Sequence, residues 1–327
     1  MSVAPTARET TIESSRVSVL PTGNGNVEGM VDELLPTLIL NPASGPETNE
    51  PHLLVEAARS AGVRVVALEE GDDLEAIASE VAPTASLLGM AGGDGSLGVV
   101  AKECISHDIP FVCVPFGTRN HFALDLGLDR SDPVAALEGF TAGNERRVDV
   151  GWLGDRVFLN NLTFGVYAEA VHTDEYREGR LRTGLRVTRE LLRGSVDADA
   201  FTIDDPDGNS YESPFALLIA NNLYGDGARL ADLGRRSSLD QGLLQVSVID
   251  ADTGWDLAGL IVAAATQGTP EDHGAFQRWT APAVTILSTQ PVLRAGLDGE
   301  AVSLDVPVEV LVGPRVLRVA IPASNEG

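Results

Sequence analysis

Short, continuously apolar runs separated by polar turns dominate the first half of the chain. Thr37-Leu38-Ile39-Leu40 is such a run, and it ends in Asn41-Pro42-Ala43-Ser44-Gly45, as a buried strand does on entering a loop. A helix is expected over 51–61, a strand over 63–68, and a helix capped by Asp72 or Asp73 that ends near Val81. Strands over 86–91 and 111–114 flank a helix over 96–106. Strands that are apolar throughout, alternating with helices, indicate an α/β domain with a parallel sheet covered by helices. The texture changes near Val148. Runs over 148–153, 156–163, 200–204, 210–221, 243–249, 283–287 and 308–311 read as strands, with hairpin turns at Gly154-Asp155 and over 204–209. Helices near 165–192 and 255–266 interrupt them. The expected organisation is a mostly disordered arm over 1–35, an α/β domain over 36–147 and a β-rich, mostly antiparallel domain over 148–327. The C-terminal tail is free to return to the first domain.

Composition narrows the function classes. The 327 residues carry 48 acidic and 23 basic side chains, a formal charge of −25. That excess argues against a nucleic-acid binder, which needs a basic face to neutralise phosphates. Lys102 is the single lysine. A P-loop needs a lysine directly after its glycines, and Lys102 follows Val100-Ala101, so that class is excluded. The N-terminus has neither a basic nor an apolar signal region, and the apolar stretch near 257–265 is too short to span a membrane, so a cytoplasmic protein is expected. Cys104 and Cys113 and five scattered histidines form no disulfide or zinc pattern.

Three segments carry candidate chemistry. Gly92-Gly93-Asp94-Gly95-Ser96 lies between a strand and a helix, where backbone N–H groups and the helix N-terminus favour phosphate, and Asp94 is placed to hold magnesium through water. The same glycines also suit a plain strand-to-helix turn. Pro115 to Ala123 follows the next strand. It leaves the same sheet edge as the glycine turn and Asn41-Pro42, where open α/β folds bind ligands. Leu297-Asp298-Gly299-Glu300 offers two carboxylates as base and metal ligand, but Asp-Gly is equally a hairpin turn.

In order and spacing, these elements resemble the diacylglycerol kinase catalytic family, the lipid kinases that include the sphingosine and ceramide kinases. The matching residues are Asn41-Pro42-Ala43-Ser44-Gly45, Gly92 to Ser96, Pro115-Phe116-Gly117-Thr118-Arg119-Asn120-His121-Phe122-Ala123 and Asp298-Gly299-Glu300. The resemblance spans about Leu38 to Pro322. It implies an ATP- and magnesium-dependent kinase acting on the hydroxyl of diacylglycerol or a similar lipid, with its active site in the cleft between a nucleotide-binding domain and a β-rich lipid-binding domain. Asn41, Gly92, Gly93, Asp94, Gly95, Ser96, Gly117, Thr118 and Asn120 fall on nucleotide-binding positions, Asp298 on the general base and Glu300 on a magnesium-organising position. Without a P-loop lysine, glycine-loop amides, magnesium and an arginine such as Arg119 must carry the phosphate charge.

Two residues depart from the family pattern. His121 stands where the second motif usually has aspartate, and Gln241 in Leu239-Asp240-Gln241-Gly242-Leu243 replaces one of two aspartates of a structural metal site, leaving Asp240 as its carboxylate. Residues 176–193 carry six arginines and two glutamates. Arg182, Arg186, Arg189 and Arg193 form one helical stripe beside leucines, suited either to anionic lipid at the inner membrane face or to an ordinary surface helix. The partners implied are a lipid substrate and no nucleic acid, and a homodimer is allowed. The alternatives that stay open are a kinase of sphingoid bases or other long-chain alcohols, and a nucleotide- and lipid-binding regulator without turnover.

Overall fold

The alternation of apolar runs and amphipathic segments folds as strands and helices in turn. They are β1 (Leu35–Leu40), α1 (Pro51–Ser60), β2 (Arg64–Ala67), α2 (Leu74–Val81), β3 (Ala85–Gly92), α3 (Asp94–His107), β4 (Phe111–Pro115) and the short α4 (His121–Asp125). The computed structural model describes residues 34–45, 50–165, 199–225, 236, 238–250 and 274–323. Asp73 caps α2, its Oδ1 accepting from the amides of Glu75 at 3.0 Å and Ala76 at 3.3 Å. Strands β2-β1-β3-β4 are parallel neighbours. Their residues alternate between two cores. Leu38, Leu40, Val112 and Val114 pack with Leu54 and Ala58 of α1, whereas Ile39 and Met90 pack with Ala78 of α2 and Leu97, Val100 and Ala101 of α3. Cys104 and Cys113 are buried in the second of these cores as small apolar groups, and burial pushes both thiols up.

The chain continues as β5 (Gly143–Leu153), β6 (Arg156–Phe158), β7 (Asn161–Gly165), β8 (Thr202–Asp204), β9 (Ser210–Glu212) and β10 (Ala216–Asn221). Then follow β11 (Leu244–Ile249), β12 (Phe276–Ala281), β13 (Ala283–Leu287), β14 (Val292–Leu297), β15 (Glu300–Asp305) and β16 (Val308–Pro322). Among the described residues, β12-β11-β10-β7-β14-β15 make a six-stranded antiparallel sheet. The first sheet is larger than a four-stranded parallel sheet. Among the described residues it has ten strands in mixed directions, because β16 pairs parallel to β4 at Val319 and Phe111 and antiparallel to β5 and β13. The C-terminal strand thus belongs to the sheet that β1 begins. Phe158, Ile203, Ile286 and Val310 from that sheet and Phe164, Ile219, Val246 and Leu293 from the six-stranded one enclose a third core.

Several boundaries differ from expectation. The run over 156–163 is two strands, broken at Leu159-Asn160, and the run over 210–221 is broken between Glu212 and Ala216. Strand β16 is far longer than 308–311. Gly313-Pro314 marks a bulge with Arg315 at φ 53°, beyond which pairing with β5 resumes at Leu317. Strands β12, β14 and β15 escape the hydrophobic pattern, for Arg278, Arg294 and a mostly exposed β15 dilute it. The segment 204–209 is a hairpin turn, with Asp205 accepting from the amides of Asp207 and Asn209. The arm up to residue 33, both expected later helices beyond Gly165, and the arginine stripe with Arg182, Arg186, Arg189 and Arg193 lie outside the described residues. Among the described residues no helix is long and apolar enough to cross a membrane.

Candidate active site

The glycine turn is the first turn of α3 itself. Gly93 is the N-cap residue and Asp94 the first helical residue, two earlier than the expected start at Ser96. Asp94 is buried, and its carboxylate caps a second helix. Oδ2 accepts from the amide of His121 at 3.1 Å and Oδ1 from that of Phe122 at 3.3 Å, both at the start of α4. Asn120 locks the loop before α4 in the left-handed region at φ 49°. It donates from Nδ2 to the Gly117 carbonyl at 2.7 Å and accepts the Gly117 amide on Oδ1 at 3.0 Å. The two loops touch through glycines, since a Cβ on Gly117 would stand 2.5 Å from the Gly93 Cα.

The third segment arrives from the six-stranded sheet. Asp298 (φ 49°) and Gly299 (φ 88°) form the two-residue turn of the β14–β15 hairpin, with Leu297 paired to Glu300. The turn aims its carboxylate at the break between β6 and β7. Oδ1 accepts the amides of Asn160 at 2.8 Å and Asn161 at 2.9 Å, and Oδ2 accepts that of Leu159 at 2.8 Å. Burial pushes the Asp298 carboxyl up to about 7 and the nearby Asp94 carboxylate adds to the rise, while the three amides pull it down.

These segments converge on one face of α3. A Cβ on Gly95 would collide with the Glu300 carboxylate, and one on Gly98 would collide with the Val157 carbonyl and stand 3.9 Å from Asp298 Oδ2. A Cβ on Gly299 would lie 3.6 Å from Arg119 Nη1. Asp94, Asp298, Glu300 and Arg119 thus surround the N-terminal turn of α3. A cavity of about 110 Å³ opens there, lined by Gly95, Gly98, Lys102, Arg156, Asp298 and Glu300.

The other sequence-derived residues distribute around this centre. Asn41 donates its amide to the Ala91 carbonyl at 2.9 Å, at the end of β3, and its Oδ1 accepts the Ala43 amide at 3.0 Å. Ser96 flanks Gly92, and Thr118 is exposed on the second loop. Lys102 faces Asp155 at 3.6 Å. Asp240 belongs to a neighbouring cluster on the 238–242 loop. The Ser238 hydroxyl donates to its Oδ1, and Arg315 Nη2 stands 3.9 Å from its Oδ2. Gln241 Oε1 accepts the Leu223 amide at 3.1 Å, and the fully buried Asp149 ties the same loop to the β16 bulge, accepting the amides of Gly242 and Arg315.

The sequence pattern missed the Asp298 cradle and the buried Arg236 and Asp125 behind it. One signal pointed that way, the paired asparagines Asn160-Asn161 inside an otherwise apolar run.

A glycine-capped helix, a second loop pinned to it by a buried carboxylate, and an Asp-Gly-Glu hairpin from an antiparallel sheet thus meet at one place. Comparison with known proteins gives this arrangement its class, the lipid kinases. Residues 36–153 match the diacylglycerol kinase catalytic domain. The chain is 30% identical over 84% of its length to a YegS-like lipid kinase of Pseudomonas fluorescens, 92% of which is covered. It is 24% identical over 88% of its length to a diacylglycerol kinase of Mycobacterium tuberculosis, 94% of which is covered. A crystal structure of a diacylglycerol kinase from Bacillus anthracis str. Sterne shares the fold, with a TM-score of 0.64 over 90% of this chain and 98% of that one at 20% identity. The chain belongs to the diacylglycerol kinase family, phosphotransferases with ATP as donor and an alcohol as acceptor.

Proposed function

We propose that the protein transfers the γ-phosphoryl group of ATP to the hydroxyl of a diacylglycerol-like lipid, with Asp298 as general base. The observation that carries this reading is the placement of Asp298 and Glu300 against Gly98 and Gly95 on the phosphate-favouring end of α3. Oδ2 of Asp298 accepts one amide where Oδ1 accepts two, so Oδ2 keeps a lone pair for a hydroxyl proton. The amides of the α3 first turn and Arg119 face the transferring charge.

Two of the carboxylates at this helix end, Asp94 and Glu300, are the candidates for a divalent cation. Among the described residues no group of three or more His, Cys, Asp or Glu forms a ready metal cage. Magnesium does not need one, since it takes one or two carboxylates together with substrate phosphates and water. Asp94 and Glu300 would hold it, and when bound it neutralises phosphate charge. Asp240 would offer a further carboxylate on the 238–242 loop, which Asp149 holds through the Gly242 amide.

The raised Asp298 pKa sets two opposite pH dependences. Only the ionised carboxylate accepts a proton, so kcat/KM should climb with pH to a plateau above about 7. Stability runs the other way. The folded state binds the Asp298 proton more tightly than the unfolded chain, with its ordinary value of 3.8, so this residue's contribution to stability declines as pH rises from about 4 through about 7. Paired pH series of initial rates and melting midpoints check both signs, and an Asp298→Asn control isolates the stability trend.

The function itself is tested by transfer of labelled phosphate from ATP, with magnesium, to vesicles carrying diacylglycerol, a sphingoid base or total lipid extract. Labelled phosphatidic acid is the expected product. Label on the sphingoid base alone would move the acceptor to long-chain amino alcohols. Nucleotide binding with no labelled lipid across several divalent metals would make the protein a regulator.

A further inference from the structure

Behind the Asp298 cradle lies a buried ion pair that touches neither nucleotide loop glycines nor the proposed base directly. Arg236 is 7% exposed, and its Nε donates to Asp125 Oδ2 at 2.7 Å while its backbone amide donates to Asp125 Oδ1 at 3.1 Å. Nη1 donates to the carbonyls of Leu159 and Asn221, the latter at 3.0 Å, and Nη2 donates to Asn160 Oδ1 at 2.8 Å. The guanidinium carbon stands 6.0 Å from the centre of the Phe122 ring.

The acceptors of this arginine give it a function beyond packing. The Leu159 carbonyl and the Asn160 N–H belong to a single peptide plane, and they point in opposite directions. Arg236, with Asn221 Nδ2 at 3.2 Å, holds the carbonyl end, and the N–H end donates to Asp298 Oδ1. The Asn160 side chain, held by Nη2, fixes the next residue of the same cradle. On its other side Arg236 grips Asp125, the last residue of α4, whose first two amides bind Asp94. One guanidinium therefore spans the distance between the two carboxylates of the site, from the β6–β7 break to the helix that Asp94 caps.

We infer that Arg236, paired with Asp125, is a positioning residue that fixes the Asp298 carboxylate relative to the nucleotide-binding turn of α3. The inference rests on the assignment of Asp298 as base. A planar fork is required, because Nε holds Asp125 of α4, Nη1 bridges the Leu159 carbonyl to that of Asn221 in β10, and Nη2 holds Asn160, whereas a lysine offers only a point charge on a flexible stem. A rate that depends on placement within a fraction of an ångström is sensitive to such a strut, even though it touches no substrate.

The test compares Arg236→Lys, Asp125→Asn and the double variant in the full chain. Steady-state kinetics on diacylglycerol vesicles are measured beside the affinity for a non-hydrolysable ATP analogue and the melting midpoint. Arg236→Lys keeps a cation beside Asp125 and should leave analogue affinity within about twofold while kcat falls roughly 30- to 100-fold. Asp125→Asn, which frees the fork from α4 without removing it, should show the same split. The double variant should lose no more than the worse single one, as residues acting as a unit do. Restoration of kcat by lysine, proportional losses of kcat and analogue affinity, or additive losses in the double variant would overturn the inference and leave Arg236 a fold-stabilising residue. A wild-type protein that phosphorylates no lipid, or an active Asp298→Asn protein, would instead overturn the functional assignment beneath it.

Discussion

Asp298→Asn is expected to lower kcat for lipid phosphorylation about 1,000-fold, within the range that loss of a general base produces. The substitution is nearly isosteric, and the cradle tolerates it. Asparagine Oδ1 can still accept the amides of Asn160 and Asn161, and only the Leu159 amide would face Nδ2 in place of an acceptor. Leaving the Leu159 amide without an acceptor costs about 1–3 kcal/mol, and removal of a buried charge offsets part of it at neutral pH. Folding and nucleotide affinity should therefore survive where turnover does not. Initial rates with diacylglycerol vesicles, taken beside nucleotide affinity and melting, separate these outcomes. Turnover at the wild-type rate would remove Asp298 from the chemistry.

The two readings of Asp298-Gly299 in the sequence turn out to be compatible. Asp-Gly is a two-residue hairpin turn because both residues adopt positive φ, and that same conformation directs the carboxylate inward. Local chemistry of this kind is legible in a sequence, as are the polar loops at the ends of apolar strands. Gly92 to Ser96 and Gly117 to Asn120 fall where the pattern places them. The helix start was harder to read, since Gly95 and Gly98 lower helix propensity by about 1 kcal/mol each. Tertiary contact overrides that propensity here. The bare glycine face is what lets Val157, Asp298 and Glu300 approach α3.

Arg236 marks the limit of such reading. It sits in the polar run Arg235-Arg236-Ser237-Ser238, which resembles solvated surface, yet its side chain is buried against Asp125, 111 positions earlier. No local pattern encodes that distance. The same holds for Asp149, a carboxylate in the buried second half of β5 whose partners Gly242 and Arg315 arrive from two other parts of the chain. The break at Leu159-Asn160 is hidden for a related reason. Its flanks are apolar on both sides, and the amides it leaves unpaired are satisfied only by a residue from the hairpin near the C-terminus.

Gly93→Ala and Gly117→Ala should inactivate nucleotide binding by different routes, and the contrast locates the phosphates. At Gly117 a Cβ would meet the Gly93 Cα at 2.5 Å, Asn120 Oδ1 at 2.9 Å and the Gly93 N at 3.0 Å. Two of these are backbone atoms that cannot rotate away, so the glycine turn and the second loop must part by about 1 Å to reach ordinary contact. Overpacking of this kind costs about 1–3 kcal/mol, and the displaced turn should weaken ATP binding and lower kcat by about 100-fold or more. At Gly93 the outcome separates fold from ligand. Its φ of −83° and ψ of 170° suit alanine, and a Cβ there meets no protein atom within 4 Å. Gly93→Ala should therefore melt as the wild type does. If the phosphates lie over this residue, its methyl group intrudes on them, and nucleotide affinity should fall about tenfold or more without any loss of stability. Calorimetric titration with an ATP analogue, run beside thermal melts, reads both effects. An unchanged affinity in Gly93→Ala would move the phosphates off the α3 N-terminus, and with them the geometry in which Asp298 faces the transferred group.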